Sequence, residues 1–275
     1  MHPIFKVATA TGLIFAGAAG LWLRRVENGL PDISRVVDYH SPAGQAFAPM
    51  TTIPLLVVHA FLAAEDHDFY NHGGIDFPMT LRAMGLDILH YDSGRRPVGA
   101  STITQQLVKN LIVGDTVSFD RKIREALLAL RIERWLTKDR ILEIYLNEVF
   151  LGCHSHGVAE AGLNYFGKPL NELSIDEAAF LGGLPRAPNH FNPLRHPYAA
   201  QRRRNWVIDR MVEDGYLAPG QAIELKAAPI RLGADHCDHE GDSDYANAPP
   251  GVDGISGDPG GATVPKGKDV SAIDR

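Results

Sequence analysis

The chain has little cysteine: in 275 residues only Cys153 and Cys237 occur, and they form no recognisable disulfide or metal-binding framework. It has no positive balance either. Its 27 Lys and Arg face 33 Asp and Glu, for a net charge of −6, which excludes the electrostatic footprint of a general nucleic-acid binder. Strand signals are scarce, and no alternation of strand and helix patterns exists, which excludes a doubly wound parallel sheet. What remains is helical periodicity carried by 45% apolar residues, enough for a core, so a mainly α fold is expected.

One segment lacks charge altogether. Val7–Leu23, VATATGLIFAGAAGLWL, is uncharged over seventeen residues. At a rise of about 1.5 Å per residue it nearly spans a hydrocarbon layer of about 30 Å. Three readings fit: a membrane anchor over residues 1–25, a cleaved signal peptide using the small residues of AGAAG, or a buried helix. The anchor, a single transmembrane helix, is the expectation. Lys6 precedes the run while Arg24 and Arg25 follow it, so the basic flanks lean slightly against an outward-facing body. Residues 26–50, with Pro31 and Pro42, read as a connector with one short strand at Arg35–Tyr39. Residues 233–275 are rich in Gly, Pro and Asp, cannot bury enough apolar surface to offset chain entropy, and are expected to be disordered. His236, Cys237, Asp238 and His239 within them read as a solvated polar tail rather than a metal site.

Between these flanks, residues 51–232 read as one helical domain. Pro54 suits a first helical turn, and Leu55, Val58 and Leu62 repeat at helical spacing. Ser101 is the expected cap of a second helix reaching Leu111. Asp120 is the expected cap of a third, RKIREALLALRIERWL, with Ile123, Leu127 and Leu130 on one stripe. A fourth, RILEIYLNEVFL, follows Asp139. Ser174 and Glu177 form a capping-box pattern ahead of IDEAAFLGGL, and a long helix from Tyr198 to Asp214 stops at Gly215.

Three stretches concentrate chemistry. In AEDHDFYNHGGID, Glu65 closes an apolar helix beside a glycine turn. A carboxylate with one apolar side and one open side is suited to proton transfer, although a helix-end surface acid fits as well. In VGASTITQQLVKN, Thr102, Gln105, Gln106 and Lys109 recur at i, i+3, i+4 and i+7, placing a hydroxyl, two amides and an ammonium on one face; this suits a hydroxyl-rich or anionic ligand, or a solvated helix side. In DRKIREALLALRIER, Arg121 and Lys122 precede Glu125 by four and three residues, with Arg124 adjoining: an ordinary helical ion pair, or cations gathered at a helix N-terminus for a phosphate.

In this order the stretches resemble glycosyltransferase family 51, the peptidoglycan polymerases found as the first catalytic domain of class A penicillin-binding proteins and as monofunctional enzymes. The first motif is matched by Glu65, Asp66, Phe69, His72, Gly74 and Asp76. The second is matched by Gly99, Ser101–Gln106, Lys109 and Asn110, and the third by Arg121, Lys122 and Glu125. The last two are matched by ILEIYLN from Ile141 to Asn147, Gly152, Gly157, Tyr165–Lys168 and LPRAPNHFNP from Leu184 to Pro193. The resemblance covers roughly residues 35–230 and is nearest to the type 1A proteins.

The resemblance implies a lysozyme-like helical glycosyltransferase domain that polymerises lipid II into glycan strands, inverting the anomeric carbon and releasing polyprenyl pyrophosphate. It implies Glu65 as general base, and Glu125 as a second catalytic carboxylate orienting cations or a divalent metal, Mg or Mn. Asp66, Phe69, His72, Ser101, Gln105, Gln106, Lys109, Asn110, Arg121, Lys122 and Arg124 are then substrate-binding. The implied setting is the bacterial inner membrane, with the catalytic domain on the periplasmic face, possible partners in cell-wall synthesis, and no nucleic acid. Phe77–Val98, with several apolar residues and Arg82, Arg95 and Arg96, is expected to meet lipid, or else to be a core helix and loop. One position departs from the family: Val117 stands where an arginine commonly contacts pyrophosphate. No S-x-x-K and no K-T-G occurs in the chain, so a penicillin-binding transpeptidase half is not expected in it. Two other readings stay open, a lysozyme-like glycan hydrolase and a non-catalytic membrane scaffold.

Overall fold

The computed structural model describes residues 20–22, 24–42, 44–89, 101–114 and 118–233. The tail from 234, Val117 and almost all of Val7–Leu23 lie outside the described residues. Among the described residues no helix is long and apolar enough to cross a membrane.

Among those residues the fold is helical, and the only β pairing is an isolated bridge between Phe150 and His156. The helices include α1 (Ser34–Val37), α2 (Leu55–Glu65), α3 (Phe77–Leu89), α4 (Ile103–Val108), α5 (Phe119–Ile132), α6 (Lys138–Glu148), α7 (Val158–Phe166), α8 (Ile175–Gly183), α9 (Pro197–Glu213) and α10 (Pro219–Ala227). A π-helical turn, Lys109–Val113, continues α4. The strand expected at Arg35–Tyr39 is instead the short helix α1, closed by the Asp38 N–H donating to Ser34 O. Residues 26–50 also contribute to the main core, through Ile33, Val36, Tyr39 and Ala48.

Two helix groups share that core. In one, α2 packs on α8 and α9, and α9 also carries α10; in the other, α4 packs on α5 and α6. Helix α2 is buried nearly all round, through Val57, Val58, Ala60, Phe61, Leu62 and Ala63, whereas its first residue, Leu55, is exposed. It comes so close to α8 that a Cβ on Gly182 would stand 2.8 Å from the Ala60 carbonyl oxygen. Phe61 of α2 meets Tyr145 of α6 edge-on at 6.4 Å, joining the two groups. Each fully buried ring of this size contributes about 1.5–3 kcal/mol.

Caps fall near the expected positions but on different residues. Thr102, not Ser101, caps α4, and it forms a capping box with Gln105. Ser118, not Asp120, caps α5 by accepting from the Arg121 N–H at 3.1 Å. Thr137 caps α6, with Asp139 left in the first turn, where a carboxylate suits the helix dipole. Ser174 and Glu177 form the expected box on α8, and Gly215, with φ of 78°, follows the end of α9. The stripe of α5 differs as well. Its buried residues are Glu125, Leu128, Ala129 and Ile132, while Ile123, Leu127 and Leu130 are half-buried.

Candidate active site

The site lies where the two helix groups meet. Glu65 is the last residue of α2, and the chain leaves the helix at Asp66. Asp66 is 2% exposed and acts as a strut. Its Oδ2 accepts the N–H of Ile103, the first residue of α4, at 2.9 Å, and its carboxylate contacts Nε2 of His72 at 3.0 Å. Because Nδ1 of His72 accepts the Gly74 N–H at 3.2 Å, the ring proton belongs on Nε2, aimed at Asp66. Thr102 completes the joint by donating its hydroxyl to the Gly74 carbonyl at 2.7 Å. The end of α2 and the start of α4 are thereby locked together.

That lock sets Gln106 against Glu65. Nε2 of Gln106 donates to Oε2 of Glu65 at 2.8 Å, and the Tyr145 hydroxyl donates to Oε1 of the same amide at 3.2 Å. The other carboxylate oxygen, Oε1, faces a guanidinium nitrogen of Arg203 at 3.4 Å. The Glu65 side chain is 10% exposed. Burial pushes its carboxyl above the ordinary glutamate value, against the pull of Arg203, then Gln106 and Arg186; Asp66 adds a smaller upward push. Burial also pushes the Tyr145 phenol well above its usual value, which keeps it a donor to Gln106.

The cationic cluster attaches to the same helix start. Nζ of Lys122 donates to Ser101 Oγ at 2.6 Å and to Glu125 Oε2 at 3.0 Å, and Arg121 donates to Glu125 Oε1 at 2.6 Å. Glu125 has only 2% of its side chain exposed, whereas Lys122 has 47%. Glu65 is thus held by Gln106 and Lys122 by Ser101, five positions apart on the segment that opens α4. A carboxylate from α2 and a half-exposed ammonium from α5, by type a proton acceptor and an anion partner, are thus both tethered to the segment that opens α4.

The other expected site residues divide. Lys109 opens the π turn and is half-buried; Asn110 is exposed. Phe69 is fully buried, with the Lys138 ammonium 4.3 Å from its ring centre. With Asp66, His72 and Gln105, it belongs to the framework under the site rather than to a ligand surface. The face expected to present Thr102 and Gln105 turns inward, because the capping box uses both side chains. Arg124 departs from the cluster: it pairs with Asp120 at 2.7 Å and donates to the Gly29 carbonyl at 2.8 Å, which ties α5 to the segment before α1. Arg203, Tyr145 and Arg186 were not singled out from the sequence, although Tyr145 lies in ILEIYLN and Arg186 in LPRAPNHFNP.

A divalent cation at Glu125 does not fit the residues present. Both carboxylate oxygens already accept from cations, and among the described residues no group of three or more His, Cys, Asp or Glu side chains is placed to hold a metal. No step below is routed through a metal.

The transglycosylase family model matches residues 33–212. Penicillin-binding protein 1A of Rickettsia felis is 40% identical over 82% of this chain and 31% of its own length. Proteins of the same name from Aquifex aeolicus and Escherichia coli are 47% and 40% identical, over 68% and 79% of this chain and 25% and 28% of their own lengths. The chain therefore spans about a third or less of these curated relatives.

Proposed function

The chain belongs to the transglycosylase family, glycosyltransferase family 51, and on that premise we propose that it polymerises lipid II into peptidoglycan glycan strands on a lysozyme-like helical scaffold. The observation that carries the reading is the pairing on one helix start: Glu65 against Gln106, and Lys122 against Ser101.

The acceptor 4-hydroxyl oxygen bonds to the donor's anomeric carbon with inversion. The bond from that carbon to the pyrophosphate oxygen breaks, and its electron pair leaves with the lipid pyrophosphate. The hydroxyl proton passes to Glu65, which burial makes a stronger base than a surface glutamate. Lys122, Arg121 and Lys109 are the cations suited to neutralise the leaving group as its charge develops. Arg124, held by Asp120 and Gly29, is not assigned to it.

The setting we propose is the periplasmic face of the inner membrane, with Val7–Leu23 as anchor. Phe77 and Leu81 of α3, 66% and 73% exposed, support approach to lipid. The test is the full chain with labelled lipid II. Polymer is expected from wild type and is reduced about 10²–10⁴-fold in Glu65→Gln. Cleavage of preformed glycan, or polymer undiminished in Glu65→Gln, would overturn the proposal.

A further inference from the structure

Arg203 sits in a run of three arginines on α9, yet it is buried, 8% exposed, and held from several sides. Its Nε donates to the Gly183 carbonyl at the end of α8 at 3.0 Å. Its guanidinium carbon lies 4.1 Å from the ring centre of Trp206 and 5.8 Å from that of Phe191. Gly183 is what lets α8 come so close, because a Cβ there would stand 3.0 Å from Arg203 Cγ. A guanidinium fixed by a carbonyl and an aromatic face has lost most of its rotamer freedom before it meets Glu65.

The two Glu65 oxygens are therefore not equivalent. Oε2 is held at 2.8 Å by Gln106, whereas Oε1 meets Arg203 at the longer 3.4 Å. Taking Glu65 as the base of the transfer proposed above, we propose that Arg203 is a positioning residue: its fixed guanidinium, facing Oε1, holds the Glu65 carboxylate turned toward the acceptor hydroxyl.

The surroundings make Arg203 the main counterweight to burial. Around Glu65, α4 contributes Gln106, α6 the Tyr145 phenol, the segment after α8 Arg186, and the end of α2 the like charge of Asp66. Of the groups pulling the carboxyl down, Arg203 is the strongest. Removing it leaves burial less opposed, so Glu65 holds its proton to higher pH.

The experiment has two independent readouts on the full chain. The first is an NMR titration of carboxyl-labelled glutamate, with the Glu65 signal assigned by its loss in Glu65→Gln. In Arg203→Met, which keeps an unbranched apolar side chain at the position without the guanidinium, the Glu65 midpoint is expected to move to higher pH. The second is lipid II polymerisation. There kcat is expected to fall about tenfold or more at neutral pH while KM changes little, and the acid limb of the pH profile moves with the NMR midpoint. Arg203→Lys restores the charge without the fork and is expected to lie between wild type and Met in both readouts. If the Met variant does not fold, Lys decides alone. A Glu65 midpoint unmoved in the folded variants, or a loss confined to KM, overturns the assignment. If wild type makes no polymer, the transfer reading fails, while the NMR titration still decides whether Arg203 governs Glu65.

Discussion

The side-chain amide of Gln106 joins Glu65 and Tyr145, donating to the first at 2.8 Å and accepting from the second at 3.2 Å. The Glu65 carboxylate, an acceptor when ionised, selects the amide nitrogen, and the phenol adds the second hold; without it the amide oxygen loses this donor. Tyr145→Phe is therefore expected to lower stability by about 1 kcal/mol, the usual scale for a lost buried hydrogen bond. It should slow polymerisation, but less than Gln106→Leu does. Urea unfolding and lipid II turnover measured on both variants check the order, and a faster Leu than Phe variant would contradict it.

The raised proton affinity of Glu65 gives a pH dependence of definite sign. As the general base proposed above, Glu65 works ionised, so activity should rise with pH through a midpoint above the ordinary 4.5. Stability runs the other way. A carboxyl whose folded value is raised contributes its full stability below the unfolded value, and that contribution is lost as pH rises through the folded value. Glu65→Gln should therefore be at least as stable as wild type at neutral pH, with the gap in its favour narrowing on acidification. Thermal melting across pH 4–8 tests this, and a Gln variant markedly less stable at pH 8 would contradict it.

The carboxylate of Glu125 is nearly inaccessible between Arg121 and Lys122. Glu125→Gln removes the charge that both cations face and is expected to cost about 2 kcal/mol, below the range for a fully buried pair because Lys122 is half-exposed. Lys122→Ala should change stability by less than about 1 kcal/mol and lower kcat for lipid II strongly, since the exposed ammonium is the member able to meet a pyrophosphate. Denaturation and kinetics on the two variants separate the roles; a Lys122→Ala chain with wild-type kcat would remove the ammonium from the mechanism.

Much of this site is readable in the sequence where the signal is local. Glu65 at the end of an apolar run, the Arg121–Glu125 and Lys122–Glu125 spacings and the Ser174 box all follow from spacing and end chemistry. Threonine followed three residues later by glutamine, Thr102 and Gln105, is itself a capping pattern, and read that way it leaves Gln106 as the amide that faces Glu65. The α5 stripe is harder to see because the buried face contains Glu125, a charge that a hydrophobicity pattern discards. Arg203 is hardest: within Arg202–Arg204 each residue has the same local signature, and only the packing of α9 on α8 and α2 brings one of them to Glu65. Asp66 and His72 show the converse. Their residue types suggest catalysis, but their tertiary contacts make them a strut.

The two glycines of the turn after Glu65 are adjacent in sequence but unlike in their surroundings. Gly73 is exposed, and a Cβ on it would have nothing within 4 Å. Gly74 is buried with φ of +91°, and its Cβ would stand 2.8 Å from the Ala129 carbonyl oxygen of α5. A side chain there meets both an unfavourable backbone region and another helix's main chain, which no rotamer change relieves. Its own carbonyl accepts from Thr102, so displacing it loosens the α4 cap and with it the approach of Gln106 to Glu65. Gly74→Ala is expected to cost about 2 kcal/mol or more and to reduce polymerisation, while Gly73→Ala stays within about 0.5 kcal/mol of wild type with normal activity. Urea midpoints and lipid II turnover on the pair decide it, and equal effects at the two positions would mean that contact with α5 does not hold the turn.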